Sequence, residues 1–139
     1  MGYENQLSSA EGKRLLVALR KVCARLAEAA EHVDGFGHTT FRVGKHSFVI
    51  AGMGEDGTSI SIKADRVNQG ILIARGPYYR TPYIGQHGWV SVDRPLEQDW
   101  KEIEQLIGDA YQLAAPKRLT PSSGRSSTAS KTSRRRTRR

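Results

Sequence analysis

The sequence predicts an α+β fold in two layers, an antiparallel-rich sheet with helices packed on one face, and three observations lead to it. Short β-rich runs are separated by glycine-bearing turns, and the hydrophobic period changes from two to about 3.6 residues in two places. The resulting order is helix, three strands, helix, two strands, helix, so each group of strands lies between helices able to cover it. At 139 residues the chain has the size of one domain.

The first helix is expected over residues 9–30. Ser8 and Glu11 have the spacing of a capping box, and Leu15, Leu19, Val22 and Leu26 follow at helical intervals, with Leu16, Cys23 and Ala27 beside them. HVDGFG, residues 32–37, breaks the pattern with two glycines. TTFRV (39–43) and HSFVIAG (46–52) then read as a hairpin in which Gly44 leads a two-residue type II′ turn before Lys45. TSISIKA (58–64) follows the turn GEDG, with Ile60 and Ile62 on one face and Ser59, Ser61 and Lys63 on the other.

From Asp65 the period is helical through Val67, Ile71 and Ala74 until Gly76 stops it. PYYRTPYI (77–84) and HGWVSVD (87–93) read as a second hairpin, its first strand at an edge because of Pro77 and Pro82. The last helix, about 96–114, places Trp100, Ile103, Ile107 and Ala110 on one stripe and ends before Pro116.

The formal net charge of +8 is not spread evenly. Residues 1–116 hold 13 Lys+Arg against 14 Asp+Glu, whereas residues 117–139 hold 9 basic residues and no acid. The second segment has one leucine and no aromatic, too little to offset the entropy of ordering it. A folded domain over 1–116 and a disordered basic Ser/Thr/Arg-rich tail over 117–139 are therefore expected. No apolar run is long enough to cross a bilayer, the N-terminus lacks the pattern of a signal peptide, and Cys23 has no partner for a disulfide. A cytoplasmic protein is expected, with no membrane partner and with Cys23 as a small buried hydrophobe.

Several motifs fail on context. GMGEDG, residues 52–57, spells a dinucleotide fingerprint, but a strand follows it where a helix N-terminus is needed, and Glu55 and Asp56 would repel phosphates. His32, His38, His46 and His87 lack metal-ligand spacing, and one cysteine cannot complete a structural zinc set. No nucleophile elbow is present, and adjacent acids in a turn are better read as solvated than as an acid/base pair. The expectation is a non-enzymatic protein with no catalytic residue, no metal and no cofactor.

The tail carries the strongest compositional signal. Lys117, Arg118, Arg125, Lys131, Arg134, Arg135, Arg136, Arg138 and Arg139 are interleaved with Ser and Thr, a pattern that neutralises phosphates and releases counterions with little sequence preference. On the last predicted hairpin, Val90 and Val92 face the helices while His87, Trp89 and Ser91 face away. If the loop before Trp89 has two or four residues, Arg80 and Pro82 share its face and form a partly open stacking surface suited to bases or a protein partner. The other placement packs Trp89 under a loop or a second subunit.

PYIGQHGWVSVD (82–93) followed by DWKEIEQLIGDAYQLAAPKRL (99–119) resembles the C-terminal half of the MmcQ/YjbR family, and FRVGKHSFVIAG (41–52) is similar to its first hairpin. The resemblance covers nearly all of residues 8–118. It implies a fold like that of type III secretion chaperones and a DNA-binding role through a double wing of hairpins. Mapped onto this chain, Lys45 and His46 on one tip and His87 on the other become the wing residues, while the Glu55-Asp56 tip is acidic. The expected partner is duplex DNA bound with low sequence specificity, the body orienting and the tail holding phosphates. The alternative is a protein- or ligand-binding module that uses the Trp89 face.

Overall fold

A computed structural model describes residues 6–120. In chain order the elements are α1 (Ala10–Cys23), β1 (Ala30–Val33), β2 (Thr39–Val43), β3 (His46–Gly54), β4 (Gly57–Ile62), α2 (Arg66–Arg75), β5 (Tyr79–Arg80), β6 (Val90–Asp93) and α3 (Trp100–Ala114). The six strands form one sheet in the order β1-β2-β3-β4-β6-β5, with every neighbouring pair antiparallel. The α+β class and the element order agree with the sequence reading, with one strand added.

That strand is β1, and it occupies part of the segment expected to continue the first helix. Helix α1 instead stops at Cys23. Ala24 to Ala29 tightens into turns whose amides reach three residues back, Leu26 N–H to Cys23 O at 3.0 Å and Ala29 N–H to Leu26 O at 3.2 Å. Glu28 turns to φ 61°, a left-handed conformation that ends any helix. Two distant groups hold it there. The Tyr111 hydroxyl donates to the Ala27 carbonyl at 2.8 Å, and Arg118 grips both carboxylate oxygens of Glu28. Tertiary contacts thus override local helix propensity. The helix start differs as well. Ser9 is the cap, accepting from Gly12 N–H at 3.0 Å, while Glu11 accepts from the Thr58 amide and hydroxyl at the start of β4.

The core lies between the helices and one face of the sheet. Leu15, Leu16, Leu19 and Cys23 of α1 and Ile103, Ile107, Ala110 and Tyr111 of α3 bury against Phe41, Val49, Ile60, Ile62, Val90 and Val92. Phe48 joins them because of a β-bulge. Phe41 pairs with Val49 but Arg42 pairs with Ser47, which leaves Phe48 as the extra residue, fully buried and edge-on to Tyr111 at 5.7 Å. The Gly44-Lys45 turn is as expected, with Gly44 at φ 60°. Burial pushes the Cys23 thiol up to about 12, with Glu31 adding to the shift, as suits a small core hydrophobe.

The strand register fixes what each end of the sheet carries. At one end lie the Gly44-Lys45 turn, the β4–α2 junction after Ile62, and the loop 81–89 between β5 and β6. The Glu55-Asp56 turn and the end of β6 at Asp93 lie at the other end. Helix α3 runs from the second end to the first, since Pro116 just beyond it packs against Gly44.

Candidate nucleic-acid interface

The end bearing the Gly44-Lys45 turn gathers cations from five segments. Arg42 closes β2 and donates to the Lys45 carbonyl at 2.9 Å, and Lys45 and His46 form the turn and the start of β3. Lys63 follows β4 directly, Arg66 opens α2 and donates to the Gln86 carbonyl at 2.9 Å, and Arg80 closes β5. None of these five Lys and Arg side chains has an ion pair among the described residues. Of the other described arginines all but Arg14 do: Arg20 with Glu31, Arg25 with Glu104, Arg75 with Glu102, Arg94 with Glu11 and Arg118 with Glu28. Asp65 shares the cationic end, but its carboxylate is engaged in capping α2 through Asn68 N–H at 2.8 Å.

The opposite end is acidic. Glu55, Asp56 and Asp93 lie there, with Glu97 and Asp99 leading into α3. A body whose charges nearly cancel in number is therefore polarised along its strands.

A YjbR family model matches residues 24–113. The chain belongs to the YjbR family. Its fold is similar to the crystal structure of Deinococcus radiodurans protein DR2400, a DUF419 domain, at 22% identity with a TM-score of 0.62, over 76% of this chain and 82% of that one. No curated protein matches the chain.

Within this YjbR-family domain, the sequence-predicted residues fall into three groups. Lys45, His46, Arg80 and His87 belong to the cationic end, as does Lys117, which opens a short 3-10 turn beyond α3. Arg118 is bound bidentately to Glu28, whose carboxyl it holds below the usual range, so its guanidinium is already occupied. Arg125, Lys131, Arg134, Arg135, Arg136, Arg138 and Arg139 lie outside the described residues.

Two expectations about the second hairpin are corrected. Trp89 is only 6% exposed, with the Lys63 ammonium 5.8 Å from its ring centroid, so it is not an open stacking surface. Arg80 does not share its face either, because Arg80 pairs with Val90 and Tyr79 with Ser91, and the Thr81 amide donates to the Trp89 carbonyl at 3.3 Å. The reason is the loop. Residues 81–89 form no tight hairpin tip but a longer excursion with a 3-10 turn at Ile84–His87. Gln69 of α2 pins it, its buried amide donating to Gly85 O at 2.7 Å and to Trp89 O at 3.0 Å. Gly88, at φ 100°, passes so close to the Ala64 carbonyl that a Cβ would overlap it.

Sequence reasoning did not assign Arg42, Lys63 or Arg66 to the interface. Each stands at an element boundary, and only the register shows that those boundaries meet at one end. The Ser59, Ser61 and Ser91 face was read as polar, and it is the open face of the sheet. Among the described residues no group of three or more His, Cys, Asp or Glu could hold a metal ion, and no helix is long and apolar enough to cross a membrane.

Proposed function

We propose that the protein is a non-enzymatic DNA-binding member of the YjbR family, which grips duplex phosphates with the cationic end of its sheet and with the basic segment that continues from it. One observation carries the reading. Five cations without ion pairs among the described residues, Arg42, Lys45, Lys63, Arg66 and Arg80, belong to the same end of the fold as Lys117, where the chain leads into the arginine-rich residues 121–139. Contacts of this kind fix position and supply affinity but carry little sequence information. The acidic end would be repelled by a polyanion, so the body has one orientation in which to approach.

The test is a titration of duplex DNA at several salt concentrations, with the full chain and with a chain ending at Thr120. This shorter chain keeps Leu119, which packs against the core, and the Arg118–Glu28 pair. About six phosphate contacts in the full chain give a slope of log K on log salt of roughly −5, and removing the segment flattens it. Equal slopes for the two chains would remove residues 121–139 from the account, and the absence of binding by either would end the reading.

A further inference from the structure

The face of the sheet turned away from the helices holds a cleft of about 480 Å³, within the size range of small-molecule sites. Its floor is a cross-strand row, Ile50 of β3 beside Ser61 of β4, Ser91 of β6 and Tyr79 of β5, with Ser59 and Thr81 flanking it. Two aromatic rings stand on opposite sides. Phe36, in the β1–β2 turn, is 74% exposed, and Tyr83, in the β5–β6 loop, is 95% exposed and held at φ 68°. A non-glycine residue in that backbone region costs of order 1 kcal/mol or more, and such strain collects at functional sites.

The hydroxyls of the floor are directional. A carboxylate only accepts, so the Tyr79 phenol commits its proton to Asp93 at 2.6 Å. Ser91 has one hydroxyl proton, so at least one of the Ser61 and Thr81 hydroxyls, each 2.8 Å from Ser91 Oγ, donates to it. The Tyr79 proton and at least one proton of the Ser61–Ser91–Thr81 group are thus committed within the floor, and the oxygens that carry them have only lone pairs left to offer the cleft. No Lys or Arg lines it, and His38, at one margin, is paired with Asp34 at 3.2 Å.

We propose that this cleft binds a small, uncharged, planar heteroaromatic ring bearing N–H donors, of the nucleobase class, with the ring against Phe36 or Tyr83 and its amino edge on the Ser61 and Thr81 oxygens. No Lys or Arg in the lining offsets the charge of a phosphate, so the site is independent of the basic end and can succeed or fail without it. The donor-seeking floor selects amino-bearing rings over hydrocarbon ones, because an unmatched acceptor floor would lose its water without replacement.

The experiment titrates the full-length protein with adenosine, N6,N6-dimethyladenosine, ribose 5-phosphate and a single-stranded oligonucleotide, following the backbone amides of Ser61, Tyr79 and Ser91 by NMR. Adenosine is expected to shift these amides and ribose 5-phosphate to leave them in place. Methylation of the amino group should weaken binding about tenfold, the loss expected when a buried polar pair goes unmade. Phe36→Ala and Tyr83→Ala, both at exposed positions, should each weaken it at least about fivefold with unchanged melting, as stacking of one base predicts. A response to adenosine and the strand alike identifies a base within a strand as a source, and a response to adenosine alone identifies the free molecule. Three results overturn the proposal: no shift at these amides with adenosine, equal affinity for the dimethyl form, or a response to the strand only.

Discussion

The side-chain amide of Gln69 donates to the Trp89 carbonyl at 3.0 Å, joining the second helix to the buried tryptophan that leads into β6. The same nitrogen reaches the Gly85 carbonyl at 2.7 Å, and the residue is 8% exposed. A buried amide in this position is a clamp on the β5–β6 loop. Both carbonyls have a second donor, Gly88 N–H on Gly85 and Thr81 N–H on Trp89, so its loss removes a tether without leaving them bare.

Gln69→Leu is therefore expected to cost about 1–3 kcal/mol by denaturant unfolding. Gln69→Glu should cost more at neutral pH, because a carboxylate would face two carbonyl oxygens. Its folded pKa would be raised, so the extra loss sets in as pH rises above about 4.3, the ordinary value, and fades in acid. A destabilisation independent of pH would contradict this geometry.

Gly88→Ala tests the close pass of the loop over Ala64. The added methyl overlaps the Ala64 carbonyl and sits at φ 100°, so a loss of about 2–4 kcal/mol is expected. Gly70, whose Cβ would meet nothing within 4 Å, is the contrast. There, in mid-helix, alanine should stabilise by roughly 0.5–1 kcal/mol.

Acid should loosen the contact between α1 and β4. The Thr58 hydroxyl and amide, with Arg94 nearby, hold the Glu11 carboxyl below its ordinary value of 4.5. A lowered folded pKa gives stability that is present above 4.5 and is lost as pH falls through the lower folded value. Glu11→Gln should lower the Tm at pH 7 and make the melting curve less sensitive to pH below 4.5. An unchanged acid limb would assign the sensitivity to other carboxylates.

At the cationic end, removing Lys45 and Arg80 together should reduce the salt slope of DNA binding by about two, whatever the DNA sequence. Lys101→Ala, near the N-terminus of α3 at the acidic end, should leave the slope unchanged. A reduction of about one from Lys101→Ala, half that of the pair, would mean that charge number matters and position does not.

Much of the fold was legible because it rests on short-range patterns. Alternation in TSISI and the stripe of Ile103, Ile107 and Ala110 report directly which side is buried, and the turns at Gly44 and Glu55-Asp56 need only local chemistry. The end of α1 was not legible, since Ala24 to Ala29 has good helix propensity and is diverted by Tyr111 and Arg118, more than eighty residues away. The placement of Trp89 failed for a related reason. Its face depends on the length of the loop that precedes it, which Gln69 and Gly88 set from outside the hairpin. Of the candidate interface, the individual cations could be read, but their convergence required the register, and the Phe48 bulge shifts that register by one residue.

Separation of the two charge types along the strands has a kinetic meaning as well. A molecule with opposite poles is turned by the field of a polyanion while still several ångströms from contact, so encounters are aligned before any hydrogen bond forms. Dissolved ions shorten the reach of that torque to roughly 8 Å at physiological ionic strength. Capture rates should then fall with added salt even where the number of touching groups stays the same.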